Sequence, residues 1–132
     1  MAEVEVVIEV PLGGFIKRQD DGSVDFVSPA PCPFNYGSVP DTLSGDGDRL
    51  DALVLGRRLA RGARVRTRVV GRVRFTDAGR DDPKLICAER PLSRIDRLRI
   101  VAFFVVYARA KALLNRLRGK TGPTRYGGID EG

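Results

Sequence analysis

From Arg64 to Phe75 the chain alternates with a two-residue period. Val65, Thr67, Val69, Val73 and Phe75 fall on one side, and Arg64, Arg66, Arg68, Arg72 and Arg74 on the other. That period belongs to a strand and not to a helix, whose apolar positions recur every three or four residues. Gly71, just after Val69-Val70, sits in the middle of the run and predicts a bulge. A long strand with one basic side anchors the reading of everything around it.

Shorter strands flank it. Val4 to Val10 is rich in β-branched residues and ends at Pro11, followed by a turn at Leu12-Gly13-Gly14. Gln19 to Ser23 reads as a hairpin turn leading into a short strand at Val24–Val27. Ser28 to Asp48 is dense in Pro, Gly, Ser and Asn and reads as an ordered loop anchored by Phe34, Tyr36, Val39 and Leu43. Asp51 to Leu55 and Lys84 to Ala88 complete the strands, with a polar turn from Thr76 to Pro83. Ser93 is a fitting N-cap for a helix from Arg94 to Arg118, which Gly119 stops. Leu98, Val101, Phe104, Val105, Leu113 and Leu117 are its expected core stripe. Ile100 to Tyr107 is apolar nearly all round, which suits burial on several sides, including at a subunit interface. Thr121 to Gly132 reads as a loose tail. The expected fold class is mainly β, of the α+β kind: a small twisted barrel with one long helix packed on it, in a single domain over residues 1–132.

Composition narrows the chemistry. The chain has no histidine, which removes every Ser-His-Asp or Cys-His mechanism and every histidine metal site. Its two cysteines, Cys32 and Cys87, are too few for a disulfide scaffold and are read as reduced thiols in a cytoplasm. The longest uncharged apolar run, Ile100 to Ala108, is far short of the ~20 residues of a membrane span, so no membrane association is expected. Charge is divided unevenly. Residues 1–56 carry three basic and ten acidic side chains, whereas residues 57–132 carry 20 basic and 7 acidic. Of the 23 basic residues 19 are arginine, a bias that a GC-rich genome produces as readily as a phosphate-binding surface does. The arginine side of the long strand lacks the interleaved aromatics that stacking on single-stranded nucleic acid needs, so a nucleic-acid partner is not expected.

The acidic half is clustered. Asp46-Gly47-Asp48-Arg49-Leu50-Asp51 packs three aspartates into six residues. Carboxylates this close repel unless positive charge lies between them, and a hard divalent cation is a natural partner. A solvated Asp-Gly turn is the plainer alternative. An EF-hand loop fails, because Leu50, Asp51 and Arg57 fall where an oxygen ligand, a Gly and a bidentate Glu are required. A second group, Asp77, Asp81 and Asp82 with Lys84, is a turn if taken alone. Facing the first group across a barrel mouth, it would hold two or more Mg²⁺ ions able to clamp a phosphoryl group and activate a water. Without histidine, a carboxylate would take the proton from that water.

Read in order, these residues resemble the soluble (family I) inorganic pyrophosphatases. The matching stretches are Ile8-Glu9-Val10-Pro11, Lys17, Pro33-Phe34-Asn35-Tyr36-Gly37, and Thr42-Leu43 running into the Asp46–Asp51 motif. They continue through Leu53-Val54-Leu55, Val70-Gly71, Thr76-Asp77, Asp82-Pro83-Lys84-Leu85 and Phe103-Phe104 with Tyr107. The resemblance implies a five-stranded OB-like barrel with flanking helix, Mg²⁺ dependence (Mn²⁺ as the alternative ion), cytoplasmic location and a homo-oligomer, typically a hexamer. It implies hydrolysis of inorganic pyrophosphate to two phosphates by metal-activated water. By position, it implies Asp46, Asp51, Asp77 and Asp82 as metal ligands, with Glu9 an outer carboxylate of the same metal site. Asp48 becomes the carboxylate that orients or deprotonates the attacking water. Lys17, Tyr36, Lys84 and Tyr107 become groups that contact phosphate or position water.

The chain departs from the family pattern at Gln19, where a carboxylate is usual, and at Ser28, in a shortened hairpin that lacks an arginine. It departs again at Cys32, Ala78 and Ala108, where tyrosine, glutamate and lysine are usual, and at Arg49, where proline is usual. Lys111, one helical turn beyond Tyr107, and Arg49, Arg57 and Arg58 are candidate replacements for lost cations. The alternative function is therefore a catalytically weakened relative that hydrolyses another diphosphate or serves as a metal- or phosphate-binding partner. Tyr107 has a purely structural reading as a core tyrosine.

Overall fold

A computed structural model describes residues 3–14, 16–18, 24–27, 31–40 and 49–131. The elements in chain order are β1 (Glu3–Val10), β2 (Ile16–Arg18), β3 (Val24–Val27), β4 (Asn35–Val39), β5 (Leu50–Val54), β6 (Arg64–Asp77), β7 (Arg80–Asp81), β8 (Lys84–Cys87), α1 (Arg94–Leu117) and β9 (Arg125–Asp130). Five strands follow one another as β1-β4-β5-β8-β6, and β6 returns to pair with β1, so the sheet closes into a ring. Four of its seams are antiparallel and β5–β8 is parallel. The ring plus one helix is the small barrel expected from the strand pattern, in the OB-like form that the family resemblance implies. β2 and β3 form a separate hairpin.

The β6 bulge is the device that gives this sheet two buried faces. Val69 pairs with Cys87, but Gly71 pairs with the adjacent Ile86, so β6 carries one extra residue. An extra residue reverses the side-chain alternation beyond it. Val65 and Val69 therefore pack against Val6, Ile8, Ala52, Val54 and Cys87, whereas Val73 and Phe75 join Phe34, Tyr36, Leu53 and Ile86 under the helix. The odd-numbered residues of β6 thus serve two clusters, where simple alternation assigns them one. The arginine side is explained locally. Arg64 pairs with Glu5 at 2.6 Å, Arg66 with Glu3 at 3.4 Å, and Arg72 and Arg74 both with Asp130 at 3.5 Å. These exposed pairs between neighbouring strands contribute modestly to stability.

Ser93 caps α1 as expected. Its hydroxyl accepts from the Asp96 amide at 3.1 Å, and the Asp96 carboxylate accepts from the Ser93 amide at 2.9 Å, a reciprocal capping box. The face of α1 that packs is not the predicted one. Ile100, Phe104, Tyr107 and Ala108 are buried together with the polar Asp96, Lys111 and Asn115. Of the predicted stripe only Phe104 is fully buried, while Leu98, Val105, Leu113 and Leu117 are exposed. The apolar pattern misleads because polar side chains on the inner face have partners there, as Asn115 does. An outer row of Ile95, Leu98, Val105, Val106, Leu113 and Leu117 is left on the surface.

Two further expectations are corrected. The loop read from Ser28 to Asp48 contains β4, every residue of which is buried. The tail read from Thr121 to Gly132 contains β9, which pairs with β6 from Arg72 to Thr76. Tyr126 of β9 stacks on Phe104 at 6.3 Å, and Arg97 of α1 holds Glu131 at 2.7 Å, so this segment ties the helix to the barrel.

Candidate active site

The Asn35-Tyr36-Gly37 triplet in β4 does three jobs. The Asn35 amide donates to the carbonyls of Val54 and Arg57 at 3.2 and 2.8 Å, and its oxygen accepts from the amides of Leu12 and Leu59 at 3.0 and 2.9 Å. All its hydrogen-bonding capacity is used, fixing β5 and two connecting loops around one buried side chain. Gly37 lets β1 approach: a Cβ there would lie 2.1 Å from the Val7 carbonyl oxygen. Between them, Tyr36 projects toward the helix side of the sheet.

Register explains which charged groups join it. Asp51 pairs with Lys84 across the parallel β5–β8 seam, and Val73 pairs with Lys84 across β6–β8. Registered residues share a face, and alternate residues along each strand share it too. Tyr36, Asp51, Lys84, Phe75 and Asp77 therefore stand on the face that α1 covers. There the Lys84 ammonium donates to Asp51 Oδ2 at 3.0 Å and to Asp82 Oδ2 at 2.6 Å, and the Tyr36 hydroxyl donates to Asp51 Oδ2 at 2.7 Å. Lys84 is 1% exposed, Asp51 9% and Asp82 5%, so this is a charge cluster inside the protein. The ammonium also lies 5.3 Å from the centre of the Phe75 ring.

Burial alone would discharge Lys84, but the Asp51, Tyr107 and Asp82 groups outweigh it and hold the ammonium charged well above the usual lysine range. Burial, then Asp51, pushes the Tyr36 phenol well above its ordinary value, so Tyr36 acts as a donor and never as a phenolate near neutrality. Two carboxylates and a phenol converging on one ammonium make a cluster dense in hard oxygen donors. That is a cation-seeking arrangement.

Tyr107 serves both readings. Its ring packs against Phe75 at 5.4 Å, Phe103 at 5.8 Å and Phe104 at 5.6 Å, and its phenol is close enough to influence the ionisation of Tyr36 and Lys84. Asp77, at the end of β6, accepts from the Asn115 amide at 2.6 Å. The same amide donates to the Thr124 hydroxyl at 2.9 Å, which also accepts from the Ala78 amide at 3.0 Å. Asn115 and Thr124 are site neighbours that the sequence reading missed. Their only sequence signal was spacing: Asn115 lies two turns beyond Tyr107 on one helical face. Asp81, by contrast, is exposed. Glu9 lies in β1 with its Oε1 buried. Lys17 lies in β2, and its side chain is outside the described residues, as are Gln19, Ser28, Asp46 and Asp48. Among the described residues no three acidic or cysteine side chains converge as a metal-holding group. Cys32 is buried, and that burial raises its thiol to about 12, an inert core role.

The model of the inorganic pyrophosphatase family matches residues 6–111, the stretch that holds the barrel strands, the charge cluster and Tyr107. The chain belongs to the inorganic pyrophosphatase family. It is 38% identical to the inorganic pyrophosphatase of Saccharolobus solfataricus over 96 residues, which are 67% of this chain and 56% of that protein. It is 36% identical to that of Streptomyces coelicolor over 126 residues, 80% of this chain and 77% of that protein. The match to the Haemophilus influenzae enzyme covers 64% of this chain and 52% of the relative, so the chain spans about half the length of several pyrophosphatases it resembles. Among solved structures, the Helicobacter pylori inorganic pyrophosphatase superposes with a TM-score of 0.76 at 29% identity, covering 98% of this chain and 84% of that one. The Thermus thermophilus pyrophosphatase gives 0.70 at 30% identity, covering 98% and 82%. Within this pyrophosphatase fold, the family resemblance of Tyr36, Asp51, Asp82, Lys84 and Tyr107 acquires a shared location. Among the described residues, no helix is long and apolar enough to cross a membrane.

Proposed function

We propose that this chain hydrolyses inorganic pyrophosphate to two phosphates, with Mg²⁺ as its metal. The observation that carries the reading is the buried pocket in which Asp51 and Asp82 converge on Lys84 beside Tyr36. A pocket with two carboxylates and one ammonium suits a hard divalent cation, and its donors are all oxygen. Asp51 and Asp82 would hold the metal, joined by Asp46 from the segment before β5 and by Asp77, with Glu9 outside them. When bound, such ions supply charge neutralisation for the diphosphate and lower the pKa of a water.

The chain's own residues do the rest. Asp48, three residues before Asp51, accepts the proton of the attacking water. That water attacks one phosphorus as the bridging P–O bond breaks, and the second phosphate leaves. Lys84, Tyr107 and Lys17 present donors to phosphoryl oxygens, where negative charge is greatest in the transition state, while Tyr36 donates its one proton to Asp51 and positions that carboxylate. Tyr36 keeps its proton across the working range, which a donor requires. The exposed apolar row on α1 supports a homo-oligomer, with a hexamer as the family-derived expectation. Two free cysteines suit a cytoplasmic location.

The test is phosphate release from pyrophosphate in Mg²⁺, for the wild type beside Asp48→Asn. Turnover that needs the metal and falls by at least about a hundredfold in the variant supports the proposal. Absence of turnover in the wild type overturns it.

A further inference from the structure

Lys84 already donates to Asp51 and Asp82, so a diphosphate bound beside them calls for a further cation. Among the described residues, Lys84 and Lys111 are the two buried basic side chains. Lys111 is 8% exposed, although it lies in a helix whose other basic residues face outward or are only partly covered. A lysine is seldom taken from water without a reason in its surroundings.

Its position supplies one. Tyr107, Lys111 and Asn115 are four residues apart in sequence and one turn apart on a single face of α1. On one side of Lys111, the Tyr107 ring packs on Phe75 at 5.4 Å, and the Phe75 ring centre lies 5.3 Å from the Lys84 ammonium. On the other, Asn115 bonds Asp77 at 2.6 Å. The lysine is thus bracketed by residues that reach the two halves of the carboxylate site. Ala108, the buried neighbour of Tyr107 on this face, brings no charge of its own.

We propose that Lys111 is a phosphate-binding residue of this site, its ammonium engaging a phosphoryl group of the bound diphosphate. The proposal rests on the function proposed above, with which it shares the substrate. A flexible stem with a compact cationic head suits a phosphate whose position shifts as the P–O bond breaks.

The test uses the full chain and two readouts: steady-state hydrolysis of Mg²⁺-pyrophosphate, and calorimetric binding of Mg²⁺-imidodiphosphate, which resists hydrolysis. Lys111→Met keeps the length and the packing of the stem without the charge. It is expected to raise KM and the imidodiphosphate Kd by about ten- to hundredfold, the effect of losing one charged hydrogen bond, with a smaller change in kcat. Lys111→Arg should recover most of that loss, and Lys120→Ala, at an exposed position, should leave both values unchanged. A methionine variant that folds and binds imidodiphosphate as the wild type does overturns the proposal, as does an arginine variant no better than the methionine one. If the wild type binds imidodiphosphate but does not hydrolyse pyrophosphate, the proposed function falls. The Kd ratio then decides the role of Lys111 alone.

Discussion

Two aspartate sites in this chain are built from the same parts to different ends. At the start of α1, Asp96 accepts from the Ser93 amide, and Arg90 reaches both of its carboxylate oxygens, one of them at 3.2 Å. One carboxylate meets one guanidinium and a helix N-terminus, so its charge and its hydrogen bonds are balanced. Under the middle of the same helix, Asp51 and Asp82 both accept from the ammonium of Lys84. That cluster is buried, and the Tyr36 hydroxyl also donates to Asp51. The first site is complete as it stands and holds a helix in place. The second gathers hard oxygen donors under the helix, and its proposed role is to hold a divalent cation. The same side-chain chemistry caps a helix in one place and gathers a buried lysine and a tyrosine around two aspartates in the other.

The comparison is broken most forcefully by removing the shared cation. Lys84→Met leaves two buried carboxylates facing each other and is expected to cost about 3–5 kcal/mol in denaturant unfolding. If instead the variant unfolds at the wild-type midpoint, the cluster is better solvated than its burial implies.

Asp96→Ala removes the return half of the capping box and the Arg90 pair, and should cost only about 1–2 kcal/mol, with turnover retained. Arg90, followed by the Ser93 bonds, holds the Asp96 carboxyl down at about 2 against the ordinary 3.8. A depressed carboxyl contributes stability that is present above its unfolded value and is lost as pH falls through the folded one. The wild type should therefore lose more melting temperature than Asp96→Ala between about pH 4 and pH 2. Parallel melting curves for the two proteins would assign the acid sensitivity elsewhere.

Much of this was legible in the sequence, and the illegible parts have a common cause. The two-residue period of β6, Gly71 as a bulge and Ser93 as a cap are local signals, and local geometry honours them. β4 was not legible, because Pro, Gly and Asn obscured a strand whose residues are all buried. Its glycine is there because β1 comes too close for a Cβ, a tertiary reason that no local pattern displays. The packed face of α1 was misread for the same kind of reason. Lys111 and Asn115 look like solvent residues until the site they face is known. β9 has few apolar residues and is held by pairing to β6 and by the Arg97–Glu131 pair, both long-range. For the site, Tyr36, Asp51, Asp82 and Lys84 were named from the family motif; register brings Tyr36, Asp51 and Lys84 to one face, and Asp82 joins them through its bond to Lys84. Asn115 and Thr124 carry no motif and were found only through their bonds around Asp77.

The central claim is that Asp51 and Asp82, beside Lys84, hold a divalent cation. Calorimetric titration of Mg²⁺ into the wild type and into Asp51→Asn, at a pH near neutrality, tests it most directly. The account predicts saturable binding to the wild type that weakens by at least about tenfold when one carboxylate becomes an amide. Equal Mg²⁺ affinity in the two proteins would contradict it and return the pocket to the same structural class as Asp96.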